Sequence, residues 1–144
     1  MPRGSGPYSF QISSTLFSAA GQGSSAALSV AAHLALSNQI GESSNLIDAA
    51  RSAHLAEAAA QSGRASPTDT ATSALGGCIV VSGEHVTGTR HVFDTSLETP
   101  EGSRNWAINA VDLPADIGDA WLVVGYSGTG SPTGRMVAKV ANLI

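Results

Sequence analysis

From Ser24 to about Asn38, Ala27, Val30, Ala31 and Leu34 recur at helical spacing, with polar groups gathered near both ends. That pattern predicts a buried, alanine-rich helix. Gly41 to Ser44 ends it, and Ser44 is placed to cap a second helix running through Asp48, His54 and Glu57 to about Gln61. The loop from Gly63 to Asp69 closes on Ser66-Pro67-Thr68-Asp69, which reads as a helix start with proline at the first helical position. Gly76 and Gly77 stop the short helix that follows. Cys78 to Ser82 predicts a strand, and so does the segment from Trp106 to Leu113; the polar stretch between them has no assigned shape. Ala120 to Tyr126 is a continuous apolar run, the pattern of a strand buried on both faces. Gly128 to Gly134 then turns the chain into a last amphipathic helix with Met136, Val137 and Val140 inward. Ser9 to Phe17 is a further, poorly patterned strand candidate, preceded by a glycine- and proline-rich start from Met1 to Pro7 that reads as loose or foreign to the fold.

Two helices in succession before any further strand do not suit a doubly wound parallel sheet, so the expected class is α+β. There is no internal repeat. With 144 residues, 42% of them hydrophobic, the chain is long enough for one buried core and short for two domains of ordinary size.

Charge narrows the partners. Only 12% of residues are charged, and the seven basic ones are six scattered arginines and Lys139. Nucleic-acid binding needs clustered positive charge to replace counterions, so none is expected. Cys78 is the single cysteine, which excludes an internal disulfide and a cysteine-rich zinc site and agrees with a reducing compartment. No run approaches the roughly 18 apolar residues of a membrane span. The polar stretch from Tyr8 to Thr15 is unlike a signal core. These features suit a cytoplasmic protein without a membrane partner.

Three places carry candidate chemistry. Gly21-Gln22-Gly23-Ser24-Ser25-Ala26-Ala27 leads straight into the first helix. Two glycines allow close backbone approach, and a helix start offers unpaired N–H groups with partial positive charge, which together suit a phosphate. The alternative is an ordinary turn with a serine N-cap. No lysine follows the second glycine, so this is not a Walker loop. Asp69 has two readings as well. It is either the third-position partner of a capping box begun by Ser66, or a carboxylate able to accept a proton from a substrate alcohol. Glu57 lies among Leu55, Ala56, Ala58, Ala59 and Ala60. It is either a solvated helix residue or a carboxylate in a partly enclosed space that needs a cation. His54 reads as structural, and His33, His85 and His91 form no ligand spacing.

Taken together, these segments resemble the GHMP kinases, named for galactokinase, homoserine kinase, mevalonate kinase and phosphomevalonate kinase. Gly21 to Ala27 is similar to their Gly-Leu-Gly-Ser-Ser-Ala loop. Ala65 to Thr70, with Ser73, Gly76 and Gly77, resembles the stretch bearing the catalytic aspartate of archaeal mevalonate kinases. Val124-Gly125-Tyr126-Ser127-Gly128, with Ser131, Thr133, Val137 and Val140, is similar to the strand, turn and helix that open their second domain.

The resemblance implies residues 1–113 as part of an N-terminal, ATP-binding α+β domain and residues 114–144 as the start of a C-terminal domain. It implies ATP contacts at Gly21, Gly23, Ser24, Ser25 and Ala26, Mg²⁺ ligation by Ser25 and Glu57, and Asp69 as the base facing the primary hydroxyl of mevalonate. His54 falls where a family histidine stands, three residues before the metal-binding glutamate. A homodimer is implied for the full-length enzyme. The alternatives are a sibling kinase of the phosphomevalonate or homoserine type, and a non-catalytic anion-binding remnant.

Departures from the pattern are specific. Gln22 stands for a leucine, Phe17 for a proline and Ala19 for a glycine. One extra residue separates Glu57 from Asp69, and the Glu57 assignment places it near Ser62. Neither the family's N-terminal lysine-bearing segment nor its C-terminal glycine-rich loop has a counterpart, so the chain reads as an interior piece expected to be inactive alone.

Overall fold

A computed structural model describes residues 7–16, 20–99, 102–126, 128 and 130. The order of elements is α1 (Ser24–Ile40), α2 (Leu46–Ala60), α3 (Thr68–Leu75), β1 (Cys78–Ser82), β2 (Arg90–Thr99) and β3 (Gly102–Val111), followed by a short 3-10 helix over Ala115–Asp119. The strands form one antiparallel sheet in the order β1-β3-β2. This is the α+β class that two consecutive helices imply.

Alanine dominates the core, and that decides the packing. Val30 of α1, Ala49, Ala50 and Ala53 of α2, and Ala71 and Ala74 of α3 are buried with Phe93 and Ile108 of the sheet. Small side chains let helix axes approach closely, and the bulk is supplied by the aromatic ring and the isoleucine from the strands. The buried face of α1 runs through Ala26, Val30 and Ser37. Ala31, expected on that face, is exposed.

The cap of α2 is Asn45, not Ser44. The Asn45 side chain accepts from the Asp48 N–H at 2.9 Å and donates to the Asp48 carboxylate at 2.8 Å, a reciprocal cap at the third helical position. The Ser44 hydroxyl pairs instead with His33 Nε2 at 2.8 Å.

Strand β2 occupies the polar stretch left without a shape by the sequence. It forms a hairpin with β3 in which Thr99 faces Gly102, and a bulge between His91 and Phe93 sets Phe93 opposite Ile108 in the core. Strand β3 begins at Gly102, four residues before the expected start.

Two expected strands are not formed. Residues 7–16 are irregular and exposed, as are residues 120–126, where Trp121 is 92% exposed and Leu122 91%. A strand needs hydrogen-bonded neighbours, and no described strand pairs with either segment. The expected helix bearing Met136, Val137 and Val140 lies outside the described residues, as does most of the turn before it. No helix among the described residues is long and apolar enough to cross a membrane.

The run Trp121 to Val124 has a consequence in solution. An apolar patch of this kind is covered by association at sufficient concentration. Light scattering of the purified chain is expected to show concentration-dependent self-association. Trp121→Ser combined with Val123→Lys should reduce it; an unchanged mass distribution would show that this run does not drive it.

Candidate active site

The loop before α1 is built on two left-handed glycines, Gly21 at φ 72° and Gly23 at φ 65°. Gly23 is the N-cap and no side chain caps the helix, so the serine-capped turn is not what forms here. The first intrahelical bond runs from the Ala27 N–H to the Gly23 carbonyl at 2.9 Å. The amides of Ser24, Ser25 and Ala26 precede that bond and lie at the positive end of a 17-residue helix.

Glu57 projects from α2 toward this helix end. The Ser25 hydroxyl donates to Glu57 Oε1, joining residues 32 apart in the chain. Gln61, one turn on, donates from Nε2 to Glu57 Oε2 at 2.9 Å. Both donors are neutral, and among the described residues no cation lies within ion-pair reach of the half-buried carboxylate. Its charge is therefore hydrogen-bonded but meets no cation among the described residues. Sequence reasoning missed Gln61; the signal was its spacing of four residues from Glu57 on one helix.

The Glu57 assignment places an extra residue near Ser62, just after the end of α2. Ser62 has φ 56°, the sole non-glycine with positive φ among the described residues, and the turn closes through Gly63 N–H to the Ala58 carbonyl at 2.7 Å.

Asp69 is the second residue of α3. The full capping box is not formed. The helix N-cap is Pro67, and the Ser66 hydroxyl accepts from the Thr68 N–H at 3.3 Å. Among the described residues the Asp69 carboxylate makes no hydrogen bond back to the chain. It faces the glycine loop: a Cβ built on Gly23 would lie 3.7 Å from Asp69 Cβ and 3.9 Å from Oδ2. Gly23, Ser25, Glu57 and Asp69, drawn from three helices and their entry loop, thus meet at one end of the helical layer.

The arrangement suits an anion on the loop, a hard cation beside Ser25 and Glu57, and a proton acceptor at Asp69. No group of three or more His, Cys, Asp or Glu side chains among the described residues is arranged to hold a metal. One hydroxyl and one carboxylate are the sparse protein set that Mg²⁺ accepts, since that ion keeps water and phosphate ligands. The other histidines serve elsewhere, His54 against the Ala65 carbonyl and His85 against Asn109. A concavity of about 670 Å³ lined by Glu84, His85, His91 and Asp94 includes none of the four converging residues.

Comparison with protein families finds a match to the GHMP kinases N terminal domain over residues 2–77. Comparisons with curated proteins and with solved structures find no match. The matched stretch takes in the glycine loop, Glu57 and Asp69 and exceeds half of the 144 residues, so the chain belongs to the GHMP kinases, a family of small-molecule kinases.

Proposed function

We propose that this chain carries the phosphate loop, the metal ligands and the base of a kinase that phosphorylates mevalonate on its primary hydroxyl. The observation that carries the reading is the convergence of the Ser25–Glu57 contact with Asp69 against Gly23. The finer choice of mevalonate rests on the likeness of Ala65 to Thr70 to the mevalonate kinase stretch.

In this reading the amides at the start of α1 receive the phosphates of ATP, and Ser25 and Glu57 hold Mg²⁺. When bound, that ion neutralises phosphate charge. Gln61 keeps the Glu57 carboxylate turned toward Ser25. Asp69 accepts the proton of the acceptor alcohol as its oxygen bonds to the γ-phosphorus and the bond to the β-phosphate bridging oxygen breaks. Catalysis of this kind is mainly positioning and charge stabilisation. Turnover is to be measured with the lysine-bearing and glycine-rich segments of the family pattern supplied in trans.

Binding is testable on the chain alone. A ligand that binds only the folded state stabilises it, by about 2.7 kcal/mol at a hundredfold excess over Kd. Mg-ATP is expected to raise the melting temperature, and Glu57→Gln, which keeps shape and removes charge, should abolish most of the Mg²⁺-dependent part of that rise. No rise with Mg-ATP would sink the proposal. An equal rise with pyrophosphate, indifferent to Mg²⁺ and to Glu57→Gln, would favour an anion-binding remnant.

A further inference from the structure

His54 is 1% exposed, one of the largest fully buried side chains, and takes no part in the chemistry described above. Its Nε2 lies 3.1 Å from the carbonyl oxygen of Ala65. A carbonyl can only accept, so Nε2 carries the hydrogen, and in the neutral ring Nδ1 is a bare acceptor. That Nδ1 is buried with no hydrogen-bond partner among the described residues. An unpartnered buried acceptor is destabilising. Filling the core does not account for a histidine here, because an apolar ring of similar size would fill it without that penalty.

The Ala65 carbonyl stands four residues before Asp69, and the chain between is held firmly. Ala65 is buried and Pro67 is fully buried. Thr70 Oγ1 donates to the Pro67 carbonyl at 3.1 Å. The imidazole is itself oriented by Trp106, edge to face at 5.4 Å and 80°. On α2, His54 and Glu57 are three residues apart and so share a face. Glu57 grips the start of α1 through Ser25, and His54 grips the approach to α3.

We infer that His54 is a positioning residue, which sets Asp69 against the glycine loop by holding the Ala65 carbonyl from the same helix face that carries Glu57. The inference rests on the reading of Asp69 as the base. Helix α2 then acts as a fixed spacer, and the gap between the phosphate loop and Asp69 follows from two side chains on one rigid element.

The test uses NMR on the whole chain. In the unmodified protein, ¹⁵N shifts should report His54 protonated at Nε2, and a nuclear Overhauser contact should join the Gly23 Hα and Asp69 Hβ protons. His54→Gln places an amide N–H donor near Nε2 and should keep the Gly23–Asp69 contact. His54→Phe fills the volume and keeps an edge toward Trp106 but cannot donate, and should lose that contact while the β2–β3 contacts persist. If volume alone mattered, the order would be reversed, with Phe retaining the contact and Gln losing it; that result, or an Nδ1-protonated ring in the unmodified protein, would overturn the inference. Failure of the underlying reading looks different: Asp69→Asn would then leave turnover intact whatever the variants at His54 show.

Discussion

Asp69→Asn should reduce the proposed phosphorylation of mevalonate by about 10² to 10⁴, the span associated with removing positioned acid–base assistance, while leaving the fold nearly untouched. The two halves of that expectation have separate grounds. Asp69 is exposed, is not the N-cap of α3, and makes no hydrogen bond back to the chain among the described residues. Its contribution to stability is therefore confined to the favourable placement of a negative charge in the first turn of a helix, about 0.3–1 kcal/mol. Asparagine keeps the size of the side chain beside Gly23 and removes its ability to take a proton from an alcohol. The expected kinetic signature is a fall in kcat with the KM for ATP little changed, because the nucleotide contacts assigned to the loop do not involve this carboxylate. A well-folded variant with near-normal turnover would return Asp69 to a role in helix electrostatics alone.

Parts of this architecture were legible from residue patterns for definite reasons. Helix α1 is bracketed by Gly23 and Gly41, both left-handed at the helix caps, and its limits follow from the glycines. Strand β1 begins directly after Gly76 and Gly77, where the expectation placed it. Strand β2 was hidden because Asp94, Thr95, Ser96 and Glu98 make it polar, and its membership of the core depends on Phe93 meeting Ile108 across a bulge. The opposite error arose at Ala120 to Tyr126, since an apolar run states a preference for burial but cannot supply the neighbouring strand that burial needs.

The site shows the same division. The glycine loop and the Ser-Pro-Thr-Asp helix start are local motifs, readable in place. The pairing of Ser25 with Glu57 and the bond from His54 to Ala65 depend on how helices pack, and no spacing in the sequence reports a contact across 32 residues, whereas the support from Gln61 is a local contact one turn along α2.

The loop itself gives the other large expected effect. Gly23→Val should weaken Mg-ATP binding by roughly 10- to 100-fold, about 1.4–2.8 kcal/mol. Gly23 sits at φ 65° and ψ 25°, where a side chain crowds the backbone, at a cost of about 1–2 kcal/mol for an ordinary residue. A β-branched residue is worse placed still. The new Cβ would stand 3.7 Å from Asp69 Cβ, an ordinary contact, but the two γ-methyls would extend beyond it at the mouth of the loop, where the phosphates are proposed to lie. Strain and obstruction can be separated with Gly41→Ala. Gly41 is also left-handed, at φ 77°, but caps the opposite end of α1. That variant should lose stability and retain most of its nucleotide affinity, whereas Gly23→Val should lose both. Calorimetric titration with Mg-ATP and thermal melts on the two variants give the comparison. If Gly23→Val folds and binds Mg-ATP as tightly as the unmodified chain, the phosphates do not approach the loop at this glycine, and the assignment of the α1 amides falls with it.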